Sequence, residues 1–227
     1  PYPLDKLDHI AIPDFAAGAM ENWGAITYRE VVLLVDPENT SEAVRQRVAG
    51  IISHEMAHQW FGDLVTMAWW DDLWLNEGFA SWMETKATDH LHPDWYPLLN
   101  RVGGREAAMG LDGFASTHPV VQKIRTVEET NQAFDAITYQ KGEAVISMLE
   151  AYAGEDTWRE GLRSYMRDHA YGNTQSDDLW GAIEAAGAPG LTEIAHDFTL
   201  QPGIPLVKLE SATCSAGVTR ITLSQGE

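Results

Sequence analysis

The chain has 227 residues, 44% of them hydrophobic, with 15 Lys plus Arg against 34 Asp plus Glu and a net charge of −19. That length can bury a sizeable core, as one large domain or two small ones, and the charge argues against nucleic acid and anionic membranes as partners. No apolar run reaches the roughly 18 residues of a membrane span, and the single cysteine, Cys214, excludes an internal disulfide framework.

Taken in chain order, the opening Pro1-Tyr2-Pro3 offers no charged start, apolar signal core or initiator Met, and reads as part of a longer polypeptide. The chain is expected to be soluble, with cytoplasmic and bacterial periplasmic or secreted destinations both open. Residues 28–35 are apolar and β-branched and predict a strand ended by Asp36-Pro37. Thr40 and Ser41 predict a helix cap. From there Val44, Val48, Ile51, Ile52, Met56 and Trp60 form an apolar stripe running to Gly62. Residues 64–70 suit a short strand or extended link. A second helix is expected over 72–90, with Asp71 and Asp72 as its caps and an acidic first turn matched to the helix dipole. Further helices are expected at 94–109, 140–153, 155–169, 176–187 and 190–199, the fourth capped by Ser176-Asp177-Asp178.

At Gln201-Pro202-Gly203-Ile204-Pro205 the pattern changes, and 206–210 and 217–223 alternate apolar and polar residues as half-buried strands do. The order predicts an α+β fold: a small β-sheet lobe and a mainly helical lobe over 1–200, with the opening strands of a second, β-sandwich-like domain at 201–227. Nine tryptophans, among them Trp60, Trp69, Trp70, Trp74 and Trp82, are expected mostly in the core, with one or two lining a pocket.

The chemistry concentrates in His54-Glu55-Met56-Ala57-His58 and in Glu77, which follows after an 18-residue gap. Histidines four apart share one helix face, so both imidazoles can reach one ion. Two His and one Glu, leaving a fourth position to solvent, is a catalytic rather than a structural zinc pattern. Glu55 lies beside the first ligand, where its carboxylate faces water rather than the ion. Glu84, two turns beyond Glu77, reads either as a partner for a zinc histidine or as a solvated helix charge. His118, before Pro119, reads as structural in preference to pocket-lining. His9, His90, His92, His169 and His196 have no metal spacing and are expected at the surface or at caps.

Four motifs then occur in order: Gly18-Ala19-Met20-Glu21-Asn22, the HExxH of 54–58, Asn76-Glu77-Gly78, and Ile137-Thr138-Tyr139-Gln140-Lys141-Gly142. Together they resemble the aminopeptidase N-like zinc metallopeptidases, gluzincins with a thermolysin-like catalytic domain. The resemblance spans the whole chain. It implies one Zn²⁺ per chain held by His54, His58 and Glu77, with Glu55 as general base. Glu21 would grip the substrate's free α-amino group, in a substrate-binding segment with Gly18, Ala19, Met20 and Asn22. Gly18 and Ala19 would lie along the substrate, and Tyr139 would stabilise the tetrahedral intermediate. The implied partners are peptides with a free amino terminus. Such enzymes also carry an amino-terminal β-domain that adds a second amine-binding side chain, and a large carboxy-terminal helical domain; without them this chain is expected to bind zinc yet hydrolyse peptides poorly. The competing readings are a thermolysin-like endopeptidase or epoxide-hydrolase relative, and a non-catalytic scaffold. A scaffold would be expected to lose ligands or base, and none is lost.

Overall fold

The computed structural model describes residues 2–226. Its first part is a three-stranded sheet of β1 (Asp8–Ile12), β2 (Ala19–Met20) and β3 (Ala25–Arg29), ordered β1-β3-β2. The central strand β3 runs parallel to β1 and antiparallel to β2. Ile26 and Tyr28 point from it into a small core completed by Val32 and by Ile51 and Ile52 of α1 (Glu42–His58). The strand expected at 28–35 thus ends at Arg29, where the neighbouring strands also end. A backbone without ladder partners has no reason to stay extended. Residues Glu30–Val32 coil into a 3-10 turn, leaving Val31 and Leu34 67% and 57% exposed.

Ser41 caps α1 as expected, its hydroxyl accepting from the Val44 N–H at 3.4 Å. The helix stops at His58 rather than at Gly62. β4 (Val65–Met67) then pairs in parallel with β5 (Gly172–Thr174).

Helix α2 (Trp74–Leu91) is the axis of the larger core: every residue from Trp74 to Trp82 is buried. Around it lie α3 (Pro97–Asp112), α4 (Val127–Gln132), α5 (Gly142–Ala153), α6 (Glu155–Asp168), α7 (Ser176–Ala186) and α8 (Leu191–Thr199). Phe79 stacks on Phe61 at 4.8 Å, and Trp74 stacks on Trp180 at 5.5 Å. Aromatic pairs of this kind add about 0.5–1.5 kcal/mol each beyond their buried area. Trp69 and Trp70 depart from the expected core placement, with Trp69 58% exposed. Asp71 and Asp72 do not cap α2. Asp71 accepts from the Ile124 N–H at 2.8 Å, and Asp72 from the Ser176 hydroxyl at 2.5 Å, so both acids tie distant segments to the start of α2. Ser176 is thereby withdrawn from capping α7, and Gln175 caps it in a reciprocal box with Asp178.

The helix expected from residue 140 is preceded by a π turn over Ile137–Lys141, in which the Lys141 N–H reaches the Ala136 carbonyl at 3.0 Å. Beside it α5 crosses α2 almost backbone to backbone. A Cβ on Gly78 would lie 3.2 Å from Gly142 Cα and 3.3 Å from the Thr138 carbonyl oxygen. The chain finishes in an exposed hairpin, β6 (Leu206–Ser215) with β7 (Val218–Gly226). Among the described residues no helix is long and apolar enough to cross a membrane.

Two predictions follow from this packing. Gly78→Ala brings a methyl group against backbone that cannot swing away. It should lower stability by about 1–3 kcal/mol in denaturant unfolding, despite alanine's better helix propensity. Asp112 is buried with Lys141 at 2.6 Å, and also accepts from Thr117 Oγ1 and the Gly203 N–H, each at 2.8 Å. Burial opposes its charge, but these partners hold its carboxyl below the usual range. A depressed folded pKa contributes stability that is complete above about pH 4 and is lost as the pH falls through the folded value. Asp112→Asn strands a buried ammonium and should cost about 3–5 kcal/mol at pH 7. The gap to wild type, read by urea unfolding across pH, should narrow below pH 4.

Candidate active site

The last turns of α1 place His54 and His58 on one face, with Nε2 atoms 3.1 Å apart and rings crossing at 80°. Glu77, in the first turn of α2, brings Oε2 to 3.2 Å from His54 Nε2 and 3.3 Å from His58 Nε2. The outer nitrogens fix the tautomers. His58 Nδ1 donates to the Phe61 carbonyl at 2.9 Å, and His54 Nδ1 faces the Glu84 carboxylate at 3.2 Å. Gly50, one turn before His54, leaves the room Glu84 needs, since a Cβ there would meet Glu84 Oε1 at 2.6 Å. Of the two readings of Glu84, the histidine partner is the one observed.

With Nδ1 turned outward on both rings, the two Nε2 atoms and a carboxylate oxygen converge on one point. Such a trio is tolerated in a buried site only with a positive charge among its members, either a proton on an imidazole or a metal ion in its place. Zinc with tetrahedral ligands at about 2.0–2.1 Å holds those ligands about 3.3–3.4 Å from each other. The observed 3.1–3.3 Å spacing and the two-nitrogen, one-carboxylate donor set fit it.

Charges around the trio are strongly coupled. Burial works against the His54 cation, yet Glu77 and Glu84 outweigh it and push its pKa up to about 10. Burial likewise disfavours ionised Glu77, and the two imidazoles overcome it, drawing the carboxyl down to about 2. A metal ion bound there would therefore compete with a proton for His54. Glu55 is only 7% exposed and its carboxyl rises to about 7, chiefly through burial. That places it in the range a general base needs near neutral pH.

Glu21 follows directly on β2, and its carboxylate, that of Glu55 and a His58 nitrogen lie within 4.8 Å of one another. Its loop is stiffened by Asn22, whose side chain donates to Thr27 Oγ1 at 3.0 Å and to the Met20 carbonyl at 3.3 Å. Gly18 turns the chain at φ +89°, and its carbonyl accepts from the Arg29 N–H at 2.7 Å. Ala19 and Met20 pair with Tyr28 and Thr27, which makes β2 the edge of the sheet. Tyr139 comes from the π turn and lays its ring over His54, centroids 6.0 Å apart and 24° from parallel. Burial first, and the Glu77 carboxylate next, raise its phenol well above the ordinary value, so it stays a hydrogen-bond donor. Asp135 accepts from the Ile137 and Thr138 N–H groups at the start of that turn, and His118 holds Asp135 at 2.8 Å. His118 is structural, as expected.

His54, Glu55 and His58 of α1, Glu77 of α2, Glu21 beside β2 and Tyr139 of the π turn thus come together, while Gly18, Ala19, Met20 and Asn22 belong to the strand and turns that carry Glu21. A cavity of about 940 Å³ lies elsewhere, along α1, α2 and α6, lined by Met56, Trp60, Trp82 and Leu162. Two site residues had gone unnoticed in the sequence. Gln59, fully buried, bonds to the Glu21 loop. Asp63 has its carboxyl pushed up to about 7 by burial and then by Glu21. The only sequence signal was a polar side chain in an otherwise apolar stretch, Gln59-Trp60-Phe61.

A profile of the peptidase family M1 domain matches residues 1–198. Aminopeptidase M1 of Arabidopsis thaliana is 46% identical over 207 residues, which is 91% of this chain and 24% of that protein. Aminopeptidase 2 of Candida albicans is 44% identical over 92% of the chain and 23% of its own length. Leucyl aminopeptidase of Saccharolobus solfataricus is 44% identical over 99% of the chain and 28% of its own length. The chain therefore spans about a quarter of the length of these relatives. With the profile running through the HExxH helix, the Glu77 helix and the Tyr139 turn alike, this chain belongs to peptidase family M1.

Proposed function

We propose that this chain is the catalytic portion of a zinc-dependent aminopeptidase that hydrolyses the amino-terminal peptide bond of peptides. The observation that carries the reading is Glu21: a carboxylate beside Glu55 and His58, on a site with no cationic partner of its own among the described residues. A substrate ammonium satisfies such a group, and an internal peptide nitrogen does not. The relatives' names, all aminopeptidases, support the same class. Thermolysin-like organisation of residues 1–200, with the 201–227 hairpin opening a β-sandwich-like second domain, belongs to this proposal, as do amino- and carboxy-terminal domains elsewhere in the polypeptide.

His54, His58 and Glu77 would hold one zinc ion per chain. Bound there, it supplies a Lewis acid that polarises the scissile carbonyl and acidifies water to a pKa of about 7. The remaining roles fall to the chain's own side chains. Glu55, poised near neutrality, takes a proton from the attacking water and returns it to the leaving nitrogen. Tyr139, held protonated, donates to the oxygen that gains negative charge. The open edge of β2 at Ala19 offers backbone groups to an extended peptide, as an added strand, next to Gly18, whose own N–H and carbonyl are taken by Phe15 and Arg29. Glu21 fixes that peptide's first residue, so the bond presented to Glu55 is the first one. An endopeptidase has no use for Glu21 in this place, which disfavours that alternative.

Glu55→Gln should keep zinc at one per chain by metal analysis while turnover falls by about 10²–10⁴-fold; near-normal turnover would refute the base assignment. Glu21→Ala should act mainly on capture of the amino terminus. In steady-state assays of the full-length protein, kcat/KM for free-amine substrates should drop while the already poor rate on N-acetylated peptides stays unchanged. Equal cleavage of blocked and free peptides by the wild type would rule out the exopeptidase reading.

A further inference from the structure

Gln59 follows the second metal-binding histidine, and no part of it is exposed. A buried amide must place two N–H donors and a two-lone-pair oxygen, and each group left over carries a desolvation penalty. Gln59 leaves nothing over. Its Nε2 donates to the Glu21 carbonyl at 2.7 Å and to Asp63 Oδ2 at 2.8 Å. Its Oε1 accepts from the Gly24 N–H at 3.1 Å and from the Tyr2 hydroxyl at 3.1 Å. Glu21 and Gly24 are the two ends of the loop that joins β2 to β3, so one side chain grips that loop at both ends. Asp63 in turn donates its N–H to the His58 carbonyl at 3.0 Å, which closes the link back to α1.

Ile51 and Ile52 of α1 pack against the sheet, but at the loop itself the polar bonds to the end of α1 run through Gln59. β2 has only two residues, and the Asn22 bonds run within the sheet rather than across to α1. The ligands and base stand on α1, whereas the amine anchor stands on the loop. Their separation is therefore set where the two are bolted together.

We propose that Gln59 is a positioning residue that fixes the distance between Glu21 and the ion-binding histidines, and thereby sets selectivity for free amino termini; this rests on the aminopeptidase reading. Gln59 touches neither substrate nor ion. The amide is the one side chain of its length that serves both edges of this contact. A carboxylate in its place would keep an acceptor toward Gly24 and Tyr2 but face two more acceptors, the Glu21 carbonyl and Asp63. Methionine matches the length and makes none of the four bonds.

The test uses the full-length protein with Gln59→Glu, and with Gln59→Met should the added charge prevent folding. Each is assayed on a free-amine aminoacyl substrate and its N-acetylated counterpart, alone and in a Glu21→Ala background. Because a displacement of about 1 Å can cost on the order of 100-fold, KM for the free amine should rise about 10- to 100-fold. The turnover number should change little, zinc should stay at one per chain, and the preference over the acetylated substrate should fall by the same factor as KM rises. In the Glu21→Ala background the Gln59 substitution should add nothing, since both act through one contact. A folded, zinc-loaded variant with unchanged KM and preference would overturn the proposal, and so would effects that simply add to those of Glu21→Ala. Failure of the underlying reading looks different: the wild type itself would then show no preference for the free amine.

Discussion

Two imidazole nitrogens and a carboxylate oxygen lie within 3.3 Å of one another in a buried site, an arrangement that needs a proton or a metal ion among them and depends on two helices held in register. Side chains at the end of one helix and the start of another can keep such an arrangement only if the helices cannot slide. The wholly buried stretch of α2 from Trp74 to Trp82 supplies that rigidity, with aromatic stacks on several sides. The Gly78–Gly142 crossing extends it to the turn carrying Tyr139, since two backbones in contact have no soft side chain between them to absorb movement. Lys141, anchored on Asp112, secures the same turn from its other end.

Much of this could be read from the residues, because the decisive signals are local. The four-residue spacing of His54 and His58 is a property of any helix, and Ser41 before an amphipathic run caps one wherever it occurs. Helix boundaries from α5 to α8 lay close to expectation for the same reason: Gly and Pro punctuate them. What escaped depends on partners far away in sequence. β1 and β2 are short and unremarkable as sequence, and exist because β3 lies between them. The strand expected over 28–35 was cut at Arg29 by the lengths of those neighbours. Asp71, Asp72 and Ser176 have the composition of caps, yet each is claimed by a stronger long-range bond. The π turn at Ile137–Lys141 has no local mark of its extra residue, and its first N–H groups are held by Asp135. Gln59 carried no signal beyond its polarity; its four partners come from Tyr2, Glu21, Gly24 and Asp63.

The same contrast separates the parts of the site. His54, His58 and Glu77 form a compact unit, legible as a motif and built on two helices. Helix α2 runs through the larger core, whereas Ile51 and Ile52 of α1 pack against the core of Ile26, Tyr28 and Val32 in the sheet next to Glu21. Helix α1 thus joins the two packed regions, and the polar contacts of Gln59 add to that join.

The two ion-facing histidines are backed differently, one by a side-chain carboxylate and the other by a peptide carbonyl. An imidazole whose far N–H leans on an anion is the more electron-rich donor of the two. An ion held by the pair would accordingly meet two unequal donors, and Glu84, outside the trio, would set the difference between them. A change at Glu84 would alter the basicity of His54 without altering a single ligand.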